Sequence, residues 1–319
     1  MFNKIGILGS GTIGASWAAF YAIKGMDVTI YDIEEKQRDF GMDKTGGFLE
    51  GLICFGLADA PAVTAAKERL KVASSLAAMA DGCDFVQESV IERLDTKRSV
   101  YAELEPFLTP ETIIASSSSG ICMSDMQESL KMPHRSLIVH PFNPPHLVPL
   151  VELVAGKATS PDVVDRVFEF FESLGKTPVV VKKEVPGHLA NRLQAALWRE
   201  ALDLVAQGVA SVEDVDKALS AGPGLRWAIM GSHKTFHLGG GQGGMPYFMD
   251  HIAPAFEHWL ADMATWTKIP AEAKEKVISG LQDSVGDQPM PELEKWRDEK
   301  LTELLKVLYP TNTLSQPKP

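Results

Sequence analysis

A histidine and a glutamate twelve residues apart are the residues of this 319-residue chain that are best suited to acid–base chemistry. His140 stands near the end of the apolar run SLIVHPF, and Glu152 lies in the apolar run LVPLVELV. An unpaired carboxylate is costly in apolar surroundings, so Glu152 needs a partner, and His140 is the nearest titratable candidate. A histidine oriented by a carboxylate can act as a general base, which takes a proton from a hydroxyl group.

A glycine-rich segment near the start of the sequence has the spacing that binds a dinucleotide. Gly9, Gly11 and Gly14, with Thr12 and Ile13 between the last two, follow a predicted strand and open a predicted helix. In this motif the first glycine makes a tight turn, the second lets the backbone approach a pyrophosphate, and the third allows close packing of helix on strand. The N-terminus of the helix adds partial positive charge for the phosphates.

An acidic residue at the end of the next predicted strand indicates which dinucleotide is bound. Asp32 lies 18 residues after Gly14, where a carboxylate can accept hydrogen bonds from both ribose hydroxyls of NAD. Glu34 and Glu35 add negative charge near the position that the 2′-phosphate of NADP would take. The cofactor predicted from these residues is NAD.

The elements that must position these residues follow an alternating pattern over residues 1–183. Short β-rich apolar runs alternate with helical patterns, which is typical of a parallel sheet with crossover helices. The clearest predicted strands are 4–9, 27–32, 83–89, 112–118, 136–142 and 177–181, and the clearest helices are 16–25 and 96–108. The expected fold class is α/β, with a Rossmann-type doubly wound sheet as the NAD-binding domain. Ligands of such sheets lie at the carboxyl ends of the strands, where His140 and Asn143 stand.

The pattern changes at KKEVPG, where Pro186 and Gly187 punctuate the chain. No convincing strand follows, and apolar residues recur at helical spacing. Ser211, followed by acidic residues, has the pattern of a helix N-cap. We therefore expect an all-helical C-terminal domain over 184–309, and a disordered tail over 310–319.

The composition argues against several partners and compartments. With 31 Lys and Arg against 42 Asp and Glu, the formal net charge is -11, which disfavours nucleic acid and anionic membranes as partners. No run approaches the ~20 apolar residues of a membrane helix, and the first residues run into a strand instead of a cleavable signal. A cytosolic location is expected.

Neither a disulfide framework nor a metal site is expected. Cys54, Cys83 and Cys122 are odd in number and form no CxxC pair, so we interpret them as small buried thiols. His233 and His237 are four residues apart, but no carboxylate ligand or HExxH pattern accompanies them.

Several motifs taken together resemble the L-3-hydroxyacyl-CoA dehydrogenase family over nearly the whole chain. They are GSGTIG, an E-x-x-x-E run from Glu88 to Glu92, the serine cluster SSSSG, HPFNPP followed by VELV, and PGHLANR. The resemblance implies hydride transfer from a 3-hydroxyl carbon to NAD, and a homodimer formed through the helical domain. Within the family the chain is most similar to a short hydroxy-acid branch that contains L-carnitine dehydrogenase and L-gulonate 3-dehydrogenase. The segments ALWREALDLV and GPGLRWAIMG are among those that carry this closer similarity.

The resemblance also implies roles for individual residues. His140 would be the general base for the substrate hydroxyl, and Glu152 would orient its imidazole. Ser119 and Asn191 would hydrogen-bond the substrate oxygen that changes from hydroxyl to carbonyl. The further cofactor contacts implied are at Glu92, Lys97 and Asn143.

Two residues depart from the family pattern. Acyl-CoA members usually carry asparagine where this chain has Ser117, and usually an aromatic residue where it has His188. Neither departure removes a proton-transfer group. Both suggest a remodelled substrate pocket, which leaves the exact substrate open.

The charge of the segment 40–61 favours a free acid over a CoA ester as the substrate. CoA carries several phosphates, and the acyl-CoA relatives present a lysine-rich helical segment here, whereas this chain has Lys44 as its only cation. Arg226 is the candidate anchor for the substrate carboxylate, because a guanidinium can pair with a carboxylate through two hydrogen bonds. The alternative is that Arg226 braces a helix or a dimer contact.

The substrate favoured by the sequence is L-carnitine, with L-gulonate and 3-hydroxybutyryl-CoA as alternatives. Trp198, Trp227 and Phe236 could hold a quaternary ammonium group by cation–π attraction, or could belong to the core. Two hypotheses of another class are a catalytically idle structural protein, as λ-crystallin is on this fold, and a nucleotide-sensing regulator. The joint presence of a base, its carboxylate and two oxygen-binding residues argues against both.

Overall fold

The computed structural model describes residues 2–309, which divide into two compact units. The described residues up to Arg192, together with those from Arg297 onward, form the first unit, and Leu193–Trp296 form the second. The end of the chain joins the first unit because Leu301 and Leu305 pack against its apolar core. The sequence predicts one continuous helical domain over 184–309. Its apolar pattern does not indicate that the residues from Arg297 onward pack on the first unit. The predicted tail over 310–319 lies outside the described residues.

The first unit is built around an eight-stranded sheet. Its strands are β1 Lys4–Leu8, β2 Asp27–Tyr31, β3 Leu70–Val72, β4 Phe85–Glu88, β5 Ile113–Ser116, β6 Ser136–Pro141, β7 Leu150–Ala155 and β8 Thr177–Val181. The strand order is β3-β2-β1-β4-β5-β6-β7-β8. All neighbouring strands are parallel except β6 and β7, which pair antiparallel. The prediction of a doubly wound α/β fold is confirmed, and chain reversal between β1 and β4 leaves a crevice at their carboxyl ends.

Helices flank the sheet and make up the second unit. Those that begin before residue 190 are α1 Thr12–Ile23, α2 Glu35–Cys54, α3 Ala60–Glu68, α4 Leu76–Ala80, α5 Leu94–Leu104, α6 Met123–Met126 and α7 Pro161–Ser173. The later ones are α8 Ala190–Ala206, α9 Val212–Ala221, α10 Pro223–Gly239, α11 Gly244–His251, α12 Ala253–Asp262, α13 Ala271–Val285 and α14 Met290–Leu308. In the described part of the chain no strand follows β8, as the sequence predicted.

Local sequence explains where two of the predicted helices begin and end. The helix α1 stops at Ile23 because Gly25 takes a φ of 88°, a left-handed conformation that glycine adopts without steric cost. The helix α9 begins after Ser211, whose side chain accepts a hydrogen bond from the N–H of Asp214. Both ends agree with the prediction from sequence.

An aromatic cluster packs α1 against the sheet. Trp17 and Tyr21 of α1 are fully buried and stack on each other with ring centroids 5.3 Å apart. Phe170 and Phe171 of α7 pack onto the same cluster, together with Phe85 of β4. Each buried aromatic side chain contributes about 1.5–3 kcal/mol. This packing fixes α1 against β1 and so fixes the loop between them.

No helix within residues 2–309 is both long enough and apolar enough to cross a membrane.

Candidate active site

The loop between β1 and α1 has the shape that a dinucleotide requires. Gly9 has a φ of 94°, and a Cβ on it would lie 2.7 Å from the carbonyl carbon and oxygen of Ser89. A Cβ on Gly14 would lie 1.9 Å from the carbonyl oxygen of Gly9. A Cβ on Gly11 would meet no atom within 4 Å. Packing therefore requires glycine at positions 9 and 14. At Gly11 the absence of a side chain leaves open space at the N-terminus of α1, where a pyrophosphate fits.

Asp32 is held beside this loop by its neighbours. One carboxylate oxygen accepts hydrogen bonds from the backbone N–H of Ser10 (2.8 Å) and from its hydroxyl (3.2 Å). The guanidinium of Arg38 donates to the backbone carbonyl of Asp32 (2.9 Å) and lies 5.9 Å from the centre of the Tyr31 ring. A carboxylate has about four acceptor sites, so Asp32 retains some for ribose hydroxyls. These residues fit NAD.

The His140–Glu152 pair is formed by the antiparallel pairing of β6 and β7. The two residues are direct register partners, and His140 Nδ1 lies 2.8 Å from Glu152 Oε2. Their exposed fractions are 3% and 1%. The other oxygen, Oε1, accepts from the backbone N–H groups of Leu189 (2.9 Å) and Ala190 (3.0 Å). The carboxylate is thus fully engaged, as a buried charge requires.

The pKa of Glu152 lies below its ordinary value. Burial alone would raise this pKa, but the hydrogen bonds from the His140 ring and from the N–H groups of Ala190 and Leu189 favour the charged form and outweigh burial. An ionised carboxylate only accepts hydrogen bonds, so Nδ1 of His140 carries its hydrogen. The neutral ring then has its lone pair on Nε2, which is the nitrogen available to take a proton.

Ser119 lies on the Nε2 side of His140, and Asn191 contacts Ser119. The Ser119 hydroxyl is 3.1 Å from His140 Nε2, and the Asn191 side-chain amide donates to the carbonyl of Ser119 at 3.4 Å. Ser119 is exposed and Asn191 is half-buried. The structure therefore brings together all four of the residues that the sequence predicted as catalytic.

Glu92 supports the turn that carries Ser119. Its Oε1 accepts hydrogen bonds from the Ser118 hydroxyl (2.6 Å) and from the backbone N–H groups of Ser119 and Gly120 (both 3.0 Å). Burial alone would raise the pKa of Glu92, but the Ser118 hydroxyl and the nearby Lys97 outweigh it and hold the pKa below its ordinary value.

Lys97 lies beneath the same turn. It is 1% exposed, with Nζ 2.7 Å from Glu88 Oε1 and 3.4 Å from Glu92 Oε2. The ammonium group thus bridges two carboxylates. Asn143, the remaining predicted cofactor residue, is exposed just after β6. The predicted contacts of Glu92, Lys97 and Asn143 with the cofactor remain predictions.

Two polar residues, His188 and Ser117, have structural contacts that the sequence does not predict. His188 is 1% exposed and donates from Nε2 to the carbonyl of Ser118 at 3.0 Å. Ser117 receives hydrogen bonds from Trp17 Nε1 (3.2 Å) and Gln87 Nε2 (2.8 Å), and its hydroxyl lies 2.9 Å from that of Ser89. The sequence shows that His188 and Ser117 depart from the family pattern. Their hydrogen-bond partners are remote in the chain, so no local sequence pattern predicts these bonds.

Arg226 is the predicted residue that the structure does not bring into this cluster. It lies on α10 in the second unit, and its side chain is exposed. The neighbouring Trp227 has a buried indole nitrogen with no hydrogen-bond partner among residues 2–309. Phe236 stacks on Phe248 at 5.0 Å and so belongs to an aromatic cluster of its own unit. Across the described chain, no group of three or more His, Cys, Asp and Glu residues is arranged to hold a metal ion.

A doubly wound sheet with a dinucleotide loop and a carboxylate-held histidine at a strand end is an arrangement suited to an NAD-dependent dehydrogenase that acts on hydroxyl groups. The comparisons with known proteins agree with this class and narrow it. The model of the 3-hydroxyacyl-CoA dehydrogenase NAD-binding domain matches residues 4–185, and that of the C-terminal domain of the same family matches residues 187–279. The chain belongs to the 3-hydroxyacyl-CoA dehydrogenase family and is an NAD-dependent oxidoreductase.

Similar proteins include enzymes named for small acids. L-carnitine dehydrogenase of Oceanobacillus iheyensis is 38% identical over 96% of this chain and 98% of its own length. The enzyme of the same name from Bacillus cereus is 39% identical over 96% of this chain and 92% of its own length. Among solved structures, 5-formyl-3-hydroxy-2-methylpyridine 4-carboxylic acid 5-dehydrogenase, described as an NAD+ dependent dismutase, is similar with a TM-score of 0.82. It is 28% identical and is covered over 99% of its chain, against 97% of this one.

Proposed function

We propose that this protein oxidises the 3-hydroxyl of a small L-3-hydroxy acid to the 3-oxo product, with L-carnitine as the favoured substrate. The observation that carries the proposal is the His140 ring. Its Nδ1 is fixed by Glu152 at 2.8 Å, and its Nε2 lies 3.1 Å from the Ser119 hydroxyl. This is the arrangement of a general base with a neighbouring group that can hold the alcohol oxygen.

The residues of the chain divide the reaction between them. Ser119 and Asn191 orient the substrate hydroxyl toward His140, and His140 Nε2 takes the hydroxyl proton. The imidazolium that forms is stabilised by the ionised Glu152, which lies against Nδ1. Bound NAD supplies the acceptor for the hydride that leaves carbon 3 of the substrate. Because Glu152 is already charged and fully hydrogen-bonded, little reorganisation accompanies proton transfer.

A free acid is a better substrate candidate than a CoA ester. Lys44 is the only cation of the segment 40–61, and its ammonium donates to the Thr12 hydroxyl at 3.1 Å. The Lys44 ammonium group therefore lies at the dinucleotide loop, which leaves no other cation in this segment for the CoA phosphates. The relatives named for L-carnitine and for a pyridine carboxylic acid support the same choice.

Arg226 is proposed as the anchor of the substrate carboxylate. It is exposed on α10 and can therefore offer its guanidinium to a carboxylate. Trp227, the next residue, is half-buried, and its indole nitrogen is buried without a partner within the described residues. The proposal for Arg226 therefore concerns only the carboxylate of L-carnitine.

A homodimer formed through the second unit is part of the proposal. That unit exposes several large apolar side chains, among them Leu193, Leu225, Ile229, Leu238 and Leu260, each more than half exposed. A dimer interface would cover such exposed apolar side chains. The cytosolic location stays a prediction of the sequence.

The experiment that tests the proposal is a screen for NADH production with four substrates. L-carnitine, L-gulonate, L-3-hydroxybutyrate and L-3-hydroxybutyryl-CoA would be compared at alkaline pH with NAD and, separately, NADP. The highest kcat/KM is expected for L-carnitine with NAD. A much higher value for the CoA ester would replace the free-acid proposal, and no NADH from any substrate would contradict the enzyme mechanism.

A further inference from the structure

A second histidine, His188, lies against the catalytic histidine. Its ring centroid is 5.1 Å from that of His140, and its side chain is 1% exposed. Its backbone has a φ of 51°, and among the described residues it is the only non-glycine residue with a positive φ. The left-handed conformation is strained for most side chains, so local contacts must hold this residue in place.

The hydrogen bonds of His188 fix its protonation state. Nε2 lies 3.0 Å from the carbonyl oxygen of Ser118, and because a carbonyl only accepts, Nε2 carries the hydrogen. Nδ1 is buried and has no partner within residues 2–309. Burial and the neighbouring His140 lower the pKa of His188, although the Ser118 bond and the carboxylates of Glu152 and Glu92 oppose them. The ring is therefore neutral, with one committed donor.

The segment that contains His188 connects two parts of the site. Leu189 and Ala190, the next two residues, donate their backbone N–H groups to Glu152. His188 itself donates to Ser118, whose carbonyl belongs to the peptide that leads into Ser119. The segment thus donates hydrogen bonds both to the Glu152 carboxylate, which contacts His140 Nδ1, and to the serine turn, which contacts His140 Nε2.

We propose that His188 is a positioning residue: its Nε2–H bond to Ser118 sets the Ser119 hydroxyl at the distance from His140 that proton transfer requires. The inference rests on the proposed function, since it concerns the same reaction. His188 does not touch the reacting atoms through this bond. It acts through Ser119, and the N–H donor on its ring is the group that holds the Ser118 carbonyl.

Two variants separate the hydrogen bond from the ring. His188→Gln places an amide N–H donor near the position of Nε2 but removes the ring. His188→Phe keeps a ring but removes the donor. Both carry a Cβ at a φ of 51°, so the backbone strain is matched between them. Lys183→Gln, at an exposed position five residues earlier, is the control.

The measurements are kcat and KM for the hydroxy acid and for NAD. We expect His188→Phe to lower kcat about tenfold, the upper range for one hydrogen bond, with the KM for NAD within twofold of wild type. His188→Gln should keep kcat within about threefold of wild type. If wild type is active and the two variants have equal kcat, this inference alone fails. If wild type makes no NADH from any hydroxy acid, the proposed function fails and the inference with it.

A spectroscopic measurement on the resting protein keeps the inference testable even if His188→Phe does not fold. Nitrogen-15 labelling of histidine, with assignment through His188→Gln, reports which ring nitrogen carries the hydrogen. The expected state at pH 7 is neutral, with the hydrogen on Nε2. A neutral ring with its hydrogen on Nδ1 would overturn the inference, because Nε2 could then not donate to the Ser118 carbonyl.

Discussion

His140 and Glu152 face each other across the one antiparallel pair of the described sheet, with Nδ1 and Oε2 2.8 Å apart. The antiparallel pairing of β6 and β7 explains their spacing of twelve residues, because the loop between the strands returns the chain so that the two side chains meet. A parallel arrangement would have needed a long crossover to bring them together. The proposed proton-transfer pair is therefore a product of the sheet topology, and a strand holds each of its members.

Removing the base should abolish most of the turnover. His140→Ala is expected to lower kcat by about 10²–10⁴-fold, the usual contribution of a general base, while the Kd for NAD changes little. Steady-state kinetics and calorimetry measure the two quantities. His134→Ala, at an exposed histidine, is the control and should keep wild-type kcat. A His140→Ala variant with wild-type turnover would falsify the assignment of the base.

Neutralising the carboxylate should change the pH dependence of turnover as well as its size. Glu152→Gln keeps the shape of the side chain but no longer stabilises the imidazolium, so His140 should accept a proton less readily. The expected result is a lower kcat and a pH–rate profile displaced from that of wild type. Together with His140→Ala it forms a double-mutant cycle, in which the two effects should be far from additive. Additive effects would mean that the residues act independently.

Cofactor choice should depend on Asp32. We expect its carboxylate to accept the ribose hydroxyls of NAD and to repel the 2′-phosphate of NADP, so Asp32→Ala should weaken NAD binding and reduce the preference over NADP. Calorimetric Kd values for both cofactors test this. Asp39→Ala, an exposed carboxylate on α2, is a control of equal charge change. Equal affinities for NAD and NADP in the wild-type protein would contradict the prediction.

Acid should destabilise the first unit through His146. Its Nδ1 lies 2.7 Å from the Ser16 hydroxyl, which also accepts the backbone N–H of His146 at 3.0 Å. Burial, with smaller effects from Lys176 and Arg297, lowers the pKa of His146 from 6.5 to about 3. Between these values the unfolded chain binds a proton that the native protein does not, so stability rises with pH across this window.

Denaturant unfolding of wild type and His146→Asn from pH 4 to 7 measures this effect. The asparagine can still accept from Ser16 but does not titrate. The free energy of unfolding of wild type should fall more steeply on acidification, by up to about 1.4 kcal/mol per pH unit. Parallel curves for the two proteins would show that His146 is not the titrating group.

The sequence predicted the strands that carry clear apolar runs, but it missed β3 and did not assign β7. β3 has only three residues with a lysine in the middle, and β7 was recognised only as an apolar run. The four residues predicted as catalytic could be named because strand ends and family motifs mark them. The hydrogen bonds that hold these four residues in place could not be predicted. The bonds from Glu92 to the serine turn and from His188 to Ser118 join positions 26–70 residues apart, and only the folded backbone brings such positions together.

The proposed role of Arg226 as substrate anchor gives the sharpest test of the substrate class. Arg226→Lys keeps the positive charge but loses the planar pair of donors, so the KM for L-carnitine should rise about tenfold or more while the Kd for NAD stays the same. Arg166→Lys, at an exposed arginine on α7, is the matched control. A thioester has no carboxylate at the corresponding position and takes its affinity from the CoA phosphates, so its KM should be insensitive to the change. If Arg226→Lys leaves the KM of the acid unaltered, the anchor lies elsewhere. If in addition the CoA ester is much the better substrate, the chain acts on acyl-CoA, as its family description states.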